Sequence, residues 1–258
     1  MAIALPPIDL GGAASVTGAT NNGGVTCGAS LTNGDALLCA CLWPSNPGAI
    51  TASTFTGGAG TWTTQVATIA NGTAIYLALF SYVALGADGG TTPTFTAKWT
   101  NSVGYNTRLV KVGGGAGNLD SSATNNVASQ ASPFTAPTIT PVAANVAMLN
   151  FFGINGVVTG GGSSGTGWAN LGTYTVDKTL IINYKTATTS SASNDVVTWT
   201  GAINASIVDI GISVAPVLAA TLADTASIAD SLAAVFTPIA RGGGGAGTFR
   251  RRFWRLRP

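Results

Sequence analysis

The chain has 258 residues, 46% of them hydrophobic and 8% charged, with nine Asp, no Glu and no His. Those absences remove the imidazole base, the His metal ligand and the Glu proton donor, so most enzyme chemistries lose their usual carriers. The formal net charge of +2 is unevenly spread: residues 1–215 carry five Lys or Arg against seven Asp, and residues 216–258 carry six Arg against two Asp. Charge-driven partners therefore belong to the C-terminal end.

The opening MAIALPPIDLGG lacks a basic region and places Pro6, Pro7 and Asp9 where a signal peptide needs an apolar helix, so neither a cleaved signal nor a membrane span is expected there. The longest apolar run, 74–85, falls well short of the ~20 residues of a spanning helix. Cys27, Cys39 and Cys41 are an odd number without zinc spacing. Cys39 and Cys41 would share one face of a strand, and buried reduced thiols are expected over a bridge to Cys27.

Most of the chain reads as strands. Period-two alternation with β-branched and aromatic residues recurs at 206–214 and in similar runs at 36–43, 75–83, 107–112, 146–152, 180–185 and 196–200, separated by Gly, Asn, Pro and Ser clusters. In the first of these, Val208, Ile210, Ile212 and Val214 share one face, and Asp209, Gly211 and Ser213 the other, as in a half-buried strand. The Gly-rich stretches 57–60, 113–117 and 160–162 read as turns. The one after Lys111 departs from a phosphate-cradling pattern at Asn118, and no helical pattern follows it.

Laying the first half over the second reveals an internal duplication. Leu37-Leu38-Cys39 aligns with Met148-Leu149-Asn150, Trp62 with Trp168, Tyr82 with Tyr184, Trp99 with Trp199, and Arg108-Leu109-Val110 with Val208-Asp209-Ile210. The expected fold is all-β: a two-layer antiparallel, jelly-roll-like sandwich of about 8–10 strands, about five from each half. Two separate five-stranded domains are the alternative. The half-repeats span about residues 25–120 and 136–215, with the polar, Pro-spaced stretch 121–141 as a surface crossover.

Gly34-Asp35-Ala36-Leu37-Leu38, Leu79-Phe80-Ser81-Tyr82-Val83-Ala84, Pro93-Thr94-Phe95-Thr96, Ala136-Pro137-Thr138-Ile139-Thr140 and Val197-Thr198-Trp199-Thr200 resemble β-sandwich virion structural proteins of tailed bacteriophages, over roughly residues 25–215. The resemblance implies a nonenzymatic fibre, spike or decoration component, located in the virion and assembled in the cytoplasm of the bacterial host. It carries no catalytic residue, metal or cofactor. The partners it implies are other virion proteins of the capsid, portal, neck or tail, together with further copies of the chain.

A host-surface glycan is a second expected partner. Trp62, Trp99, Trp168 and Trp199 recur in both halves and read as core anchors. Trp43, at a strand end before Pro44-Ser45-Asn46-Pro47-Gly48 and aligned with Ile154, is the candidate sugar platform, with Tyr105. A third reading, an Asp-dependent glycan depolymerase, needs two carboxyls at a fixed separation, which the Asp spacing does not indicate. Asp88, Asp120 and Asp195 lie in Gly, Ser or Asn contexts, where bonds to nearby backbone are the ordinary role.

Residues 216–240 are Ala-rich and read as a short helix or an extended repeat. Residues 241–258 combine a Gly hinge with a basic, aromatic end in which Phe249, Arg250, Arg251, Arg252, Phe253, Trp254, Arg255 and Arg257 are the candidate docking residues. Such a peptide pairs with carboxylates or phosphates while burying rings. It suits a groove on a virion partner, packaged nucleic acid, or a solvated free end.

Overall fold

The computed structural model describes residues 4–15, 22–27, 29–56, 63–92, 94–113, 116–201 and 205–216. The first half holds β1 (Ala4–Ser15), β2 (Asn22–Thr26), β3 (Ala36–Trp43), β4 (Ile50–Thr56), β5 (Thr63–Asn71), β6 (Ile75–Val83), β7 (Thr94–Trp99) and β8 (Tyr105–Gly113). The second holds β9 (Ala116–Gln130), β10 (Phe134–Thr135), β11 (Val146–Ile154), β12 (Thr159–Ser163), β13 (Ala169–Thr175), β14 (Thr179–Ala187), β15 (Val196–Thr200) and β16 (Ala205–Pro216). No α-helix occurs among the described residues, so none is long and apolar enough to cross a membrane.

The duplication governs the topology strand by strand. The first half forms a five-stranded sheet, β1-β8-β3-β6-β5, and a three-stranded one, β2-β7-β4. The second repeats both orders eight strands later, as β9-β16-β11-β14-β13 and β10-β15-β12. All strand pairs are antiparallel. The two five-stranded sheets pack face to face through Leu38, Ala40 and Leu42 of β3, Leu77 and Leu79 of β6, Leu149 and Phe151 of β11, and Ile210 and Ile212 of β16. That central sandwich has ten strands, five from each half. Each outer face is then covered by a three-stranded sheet, giving layers in the order three, five, five, three.

Burial on both faces explains why β3 (ALLCACLW) is continuously apolar and β11 (VAMLNFFGI) apolar but for Asn150: every residue in each is buried. On β3, Leu38, Ala40 and Leu42 face the other half, while Leu37, Cys39, Cys41 and Trp43 face the small sheet. Cys27 joins the same outer core, and all three thiols are free and buried. Burial pushes the Cys39 and Cys27 thiols above the usual range. At the centre, a Cβ on Gly153 would lie 2.5 Å from Leu42 Cδ1 and 2.9 Å from Val208 Cγ2, so glycine permits the close approach of the sheets.

The register corrects two of the sequence alignments. Ala36 pairs with Val83 and Ala147 with Thr186, so the counterpart of Tyr82 is Lys185, not Tyr184. Tyr82 lies in an outer core and Tyr184 against the central one, because a one-residue slip exchanges faces. Similarly, Ala36 pairs with Val112 and Ala147 with Val214, which matches Arg108-Leu109-Val110 to Ile210-Gly211-Ile212, two residues beyond the expected set.

Three stretches read as loops or ends are strands. The N-terminal segment is edge strand β1, whose register skips between Ala4 and Ile8, leaving Pro6 and Pro7 outside the ladder. The expected crossover from residue 121 is, through Gln130, the edge strand β9, paired with β16. Gly160, Gly161 and Gly162 lie in β12 rather than in a turn. A Cβ on Gly161 would meet Thr173 Oγ1 at 2.4 Å and Ile181 Cδ1 at 2.7 Å, so the strand can lie this close to the large sheet only without a side chain there.

Candidate functional site

Residues 217–258 lie outside the described residues, and with them Phe249, Arg250, Arg251, Arg252, Phe253, Trp254, Arg255 and Arg257. Trp62 does too. The remaining candidates fall in two places: a cleft between the halves and a buried polar layer within the second half.

Trp43 is not a sugar platform. It is fully buried, with Trp99 edge-on at 5.4 Å between ring centroids. The reason is its strand: β3 is central, and its outer face is covered by the small sheet. The following segment does not expose it either, since Asn101 N donates to Pro47 O (2.9 Å) and Thr100 N to Ala49 O (3.1 Å), pinning 47–49 to the turn after β7. Trp99 and Trp199 are buried in the matching outer cores, and Trp168 in the second half.

Tyr105 continues the aromatic series, 5.3 Å from Trp99, but is only half-buried. It lines a shallow cleft with Pro44 and Asn106 of the first half and Val176, Asp177 and Lys178 of the second. The enclosed space there is about 10 Å³, no more than one water occupies, so the cleft does not engulf a small molecule. A latch flanks it: Tyr174 Oη donates to Asp9 Oδ2 (2.9 Å), Asn106 Nδ2 donates to Tyr174 O (2.9 Å), and the Arg108 guanidinium lies 3.9 Å from the Tyr174 ring centroid. Burial, then the Asp9 carboxylate, raises the Tyr174 hydroxyl above its ordinary pKa.

Asp120 accepts from the Ser213 hydroxyl and from Val142 N and Ala143 N, 22 and 23 residues away, rather than from nearby backbone, whereas Asp88 bonds to nearby backbone as expected, accepting from Leu85 N. Asp195 does not. It is 1% exposed, between the two sheets of the second half, and accepts from side chains: Asn150 Nδ2 (3.1 Å), Asn183 Nδ2 (2.6 Å) and the Ser163 hydroxyl. Asp209 shares that layer, and here too the structure departs from expectation. The face of β16 carrying Asp209 and Ser213 is buried rather than solvated, each at 0% exposure, because the three-stranded sheet lies over it.

Neither Asp209 oxygen has a hydrogen-bond partner, and neither does Asn150 Oδ1. Asn150 pairs across the ladder with Gly211 and Phe152 with Asp209, so Asn150 and Asp209 are diagonal neighbours on one face. Desolvation, then the charge of Asp195, holds the Asp209 carboxyl well above the usual carboxylate range. Both carboxyls are sealed from solvent, so neither is placed to flank a glycosidic bond in a polysaccharide chain. Among the described residues no three His, Cys, Asp or Glu side chains converge as a metal-ligand group.

The alternation in 206–214 concealed Asp209, because period-two patterning marks two faces without saying whether the second is also covered. One sequence signal was present. Asn150 interrupts an otherwise apolar run at the position where the first half has Cys39. Comparison with family models, with curated proteins and with solved structures finds no match to this chain.

Proposed function

We propose that the protein is a nonenzymatic structural component of a bacteriophage particle, a fibre, spike or decoration subunit whose sandwich is displayed and whose C-terminal Arg and aromatic peptide docks on a neighbouring virion protein. The observation that carries the reading is the contrast between body and tail. In the body, two matched halves bury both faces of their large sheets and leave few charges outside. The tail places five Arg among Phe249, Phe253 and Trp254, a composition suited to a groove lined with acidic and apolar groups. Deleting residues 242–258 is expected to abolish incorporation into particles while the protein stays soluble with an unchanged melting temperature. Normal incorporation of the truncated chain would refute tail docking.

A second reading, recognition of a host-surface glycan, is favoured by the half-exposed Tyr105 ring at the mouth of the inter-half cleft, beside Asp177 and Lys178. Aromatic stacking with flanking polar groups is a common way to hold a single sugar ring. On a glycan array the full chain is expected to bind a discrete set of sugars, and Tyr105→Ala to lose that set. Blank arrays for both proteins would remove this reading.

A further inference from the structure

We propose that the polar layer of the second half holds a hard divalent cation, of the Ca²⁺ or Mg²⁺ class, on the Asp209 carboxylate and the Asn150 amide oxygen beside the Asp195 carboxylate. This goes beyond the docking and glycan readings and depends on neither.

The first half shows that the fold does not need a polar layer there. Cys39 pairs with Phe80 and Leu109, as Asn150 pairs with Asn183 and Gly211. Cys41 pairs with Thr107, as Phe152 pairs with Asp209. Phe80 packs on Phe95, 5.5 Å between ring centroids, where Asn183 donates to Asp195. The same architecture is thus filled once with Cys39, Phe80, Phe95 and Thr107, and once with Asn150, Asn183, Asp195 and Asp209. Burying the second set costs free energy that the first avoids, so stability of the fold does not account for it.

The open atoms indicate what would recover that cost. Asn150 is 1% exposed and Asp209 0%, and their three unpartnered atoms are all oxygens. With Asp209 ionised they are three acceptors with no donor between them, a set whose charge and chemistry suit a cation. Asp195 and Asp209 together carry two negative charges when ionised, and neither forms an ion pair among the described residues, where Arg108 lies near Asp9, Lys111 near Asp35 and Lys178 near Asp177. A divalent ion balances that charge. With carboxylate and amide oxygens and no thiol or imidazole in the set, the chemistry selects a hard ion over zinc or copper.

The test uses the full chain, unfolded with chelator and refolded in CaCl₂, MgCl₂ or NaCl at matched ionic strength, since a sealed site fills most readily as the sheets close. After gel filtration, about one divalent ion per chain is expected to remain, with a higher melting temperature than in NaCl. Asp209→Thr and Asn150→Cys install the residues that the first half carries at these positions. Both are expected to melt cooperatively and to retain less than about a tenth of the metal. Asp209→Asn serves as a near-isosteric second variant if Asp209→Thr does not fold. Absence of retained metal with identical melting in all three salts, or variants that retain it as the parent does, would overturn the proposal.

Discussion

Phe151→Ala is expected to lower the free energy of unfolding by about 3–5 kcal/mol, the range for emptying a fully buried aromatic site. Phe151 is 0% exposed at the centre of the inter-half core, on β11, paired with Ile182 on one side and Ile210 on the other. The surroundings are poorly able to close a cavity there. Both sheets are fixed by ladders on either side, and at neighbouring Gly153 the halves already approach so closely that a Cβ would meet Leu42 at 2.5 Å. Urea denaturation checks the effect, with Val142→Ala as the control: at 80% exposure it should stay within about 0.5 kcal/mol of the parent. A loss at Phe151 no larger than the control's would mean that the five-stranded sheets do not pack on one another.

Asp209→Asn, in the presence of chelator, is expected to be more stable than the parent at neutral pH, by a margin that grows with pH. The folded-state pKa of Asp209 is raised, first by desolvation and then by the charge of Asp195. An unfolded chain releases this proton near pH 4, whereas the folded chain keeps it until its own higher pKa. Between those two values the folded state binds more protons, so parent stability falls as pH rises, by about 1.4 kcal/mol per pH unit within the window. Below the unfolded value the difference vanishes. Asn does not titrate, and the other carboxyls are common to both proteins, so subtracting the two stability curves isolates this group. Parallel curves from pH 3 to pH 8 would show that Asp209 is not held neutral.

Much of the architecture was legible in the chain because both halves spell it. The runs at 36–43, 75–83, 146–152, 180–185 and 206–214 became β3, β6, β11, β14 and β16, which with β8 line the central core. Strands buried on two faces announce themselves by largely apolar runs, here interrupted at Asn150, Asn183 and Asp209. Edge strands do not. β1 contains two prolines, β9 is largely Ser, Thr, Asn and Ala, and β12 is three-fifths glycine. Each borrows its ladder from a neighbour, and local composition carries no record of that neighbour.

The candidate site followed the same division. Composition alone established the missing imidazole and Glu chemistry, the near-neutral body and the basic, aromatic end. Only the tertiary structure decided that Trp43 is covered while Tyr105 reaches a cleft, and that Asp209 lies buried in one layer with Asp195 and Asn150. A side chain's alternation is written in its own strand, but its solvent is set by the sheet laid over that strand, which comes from residues tens of positions away.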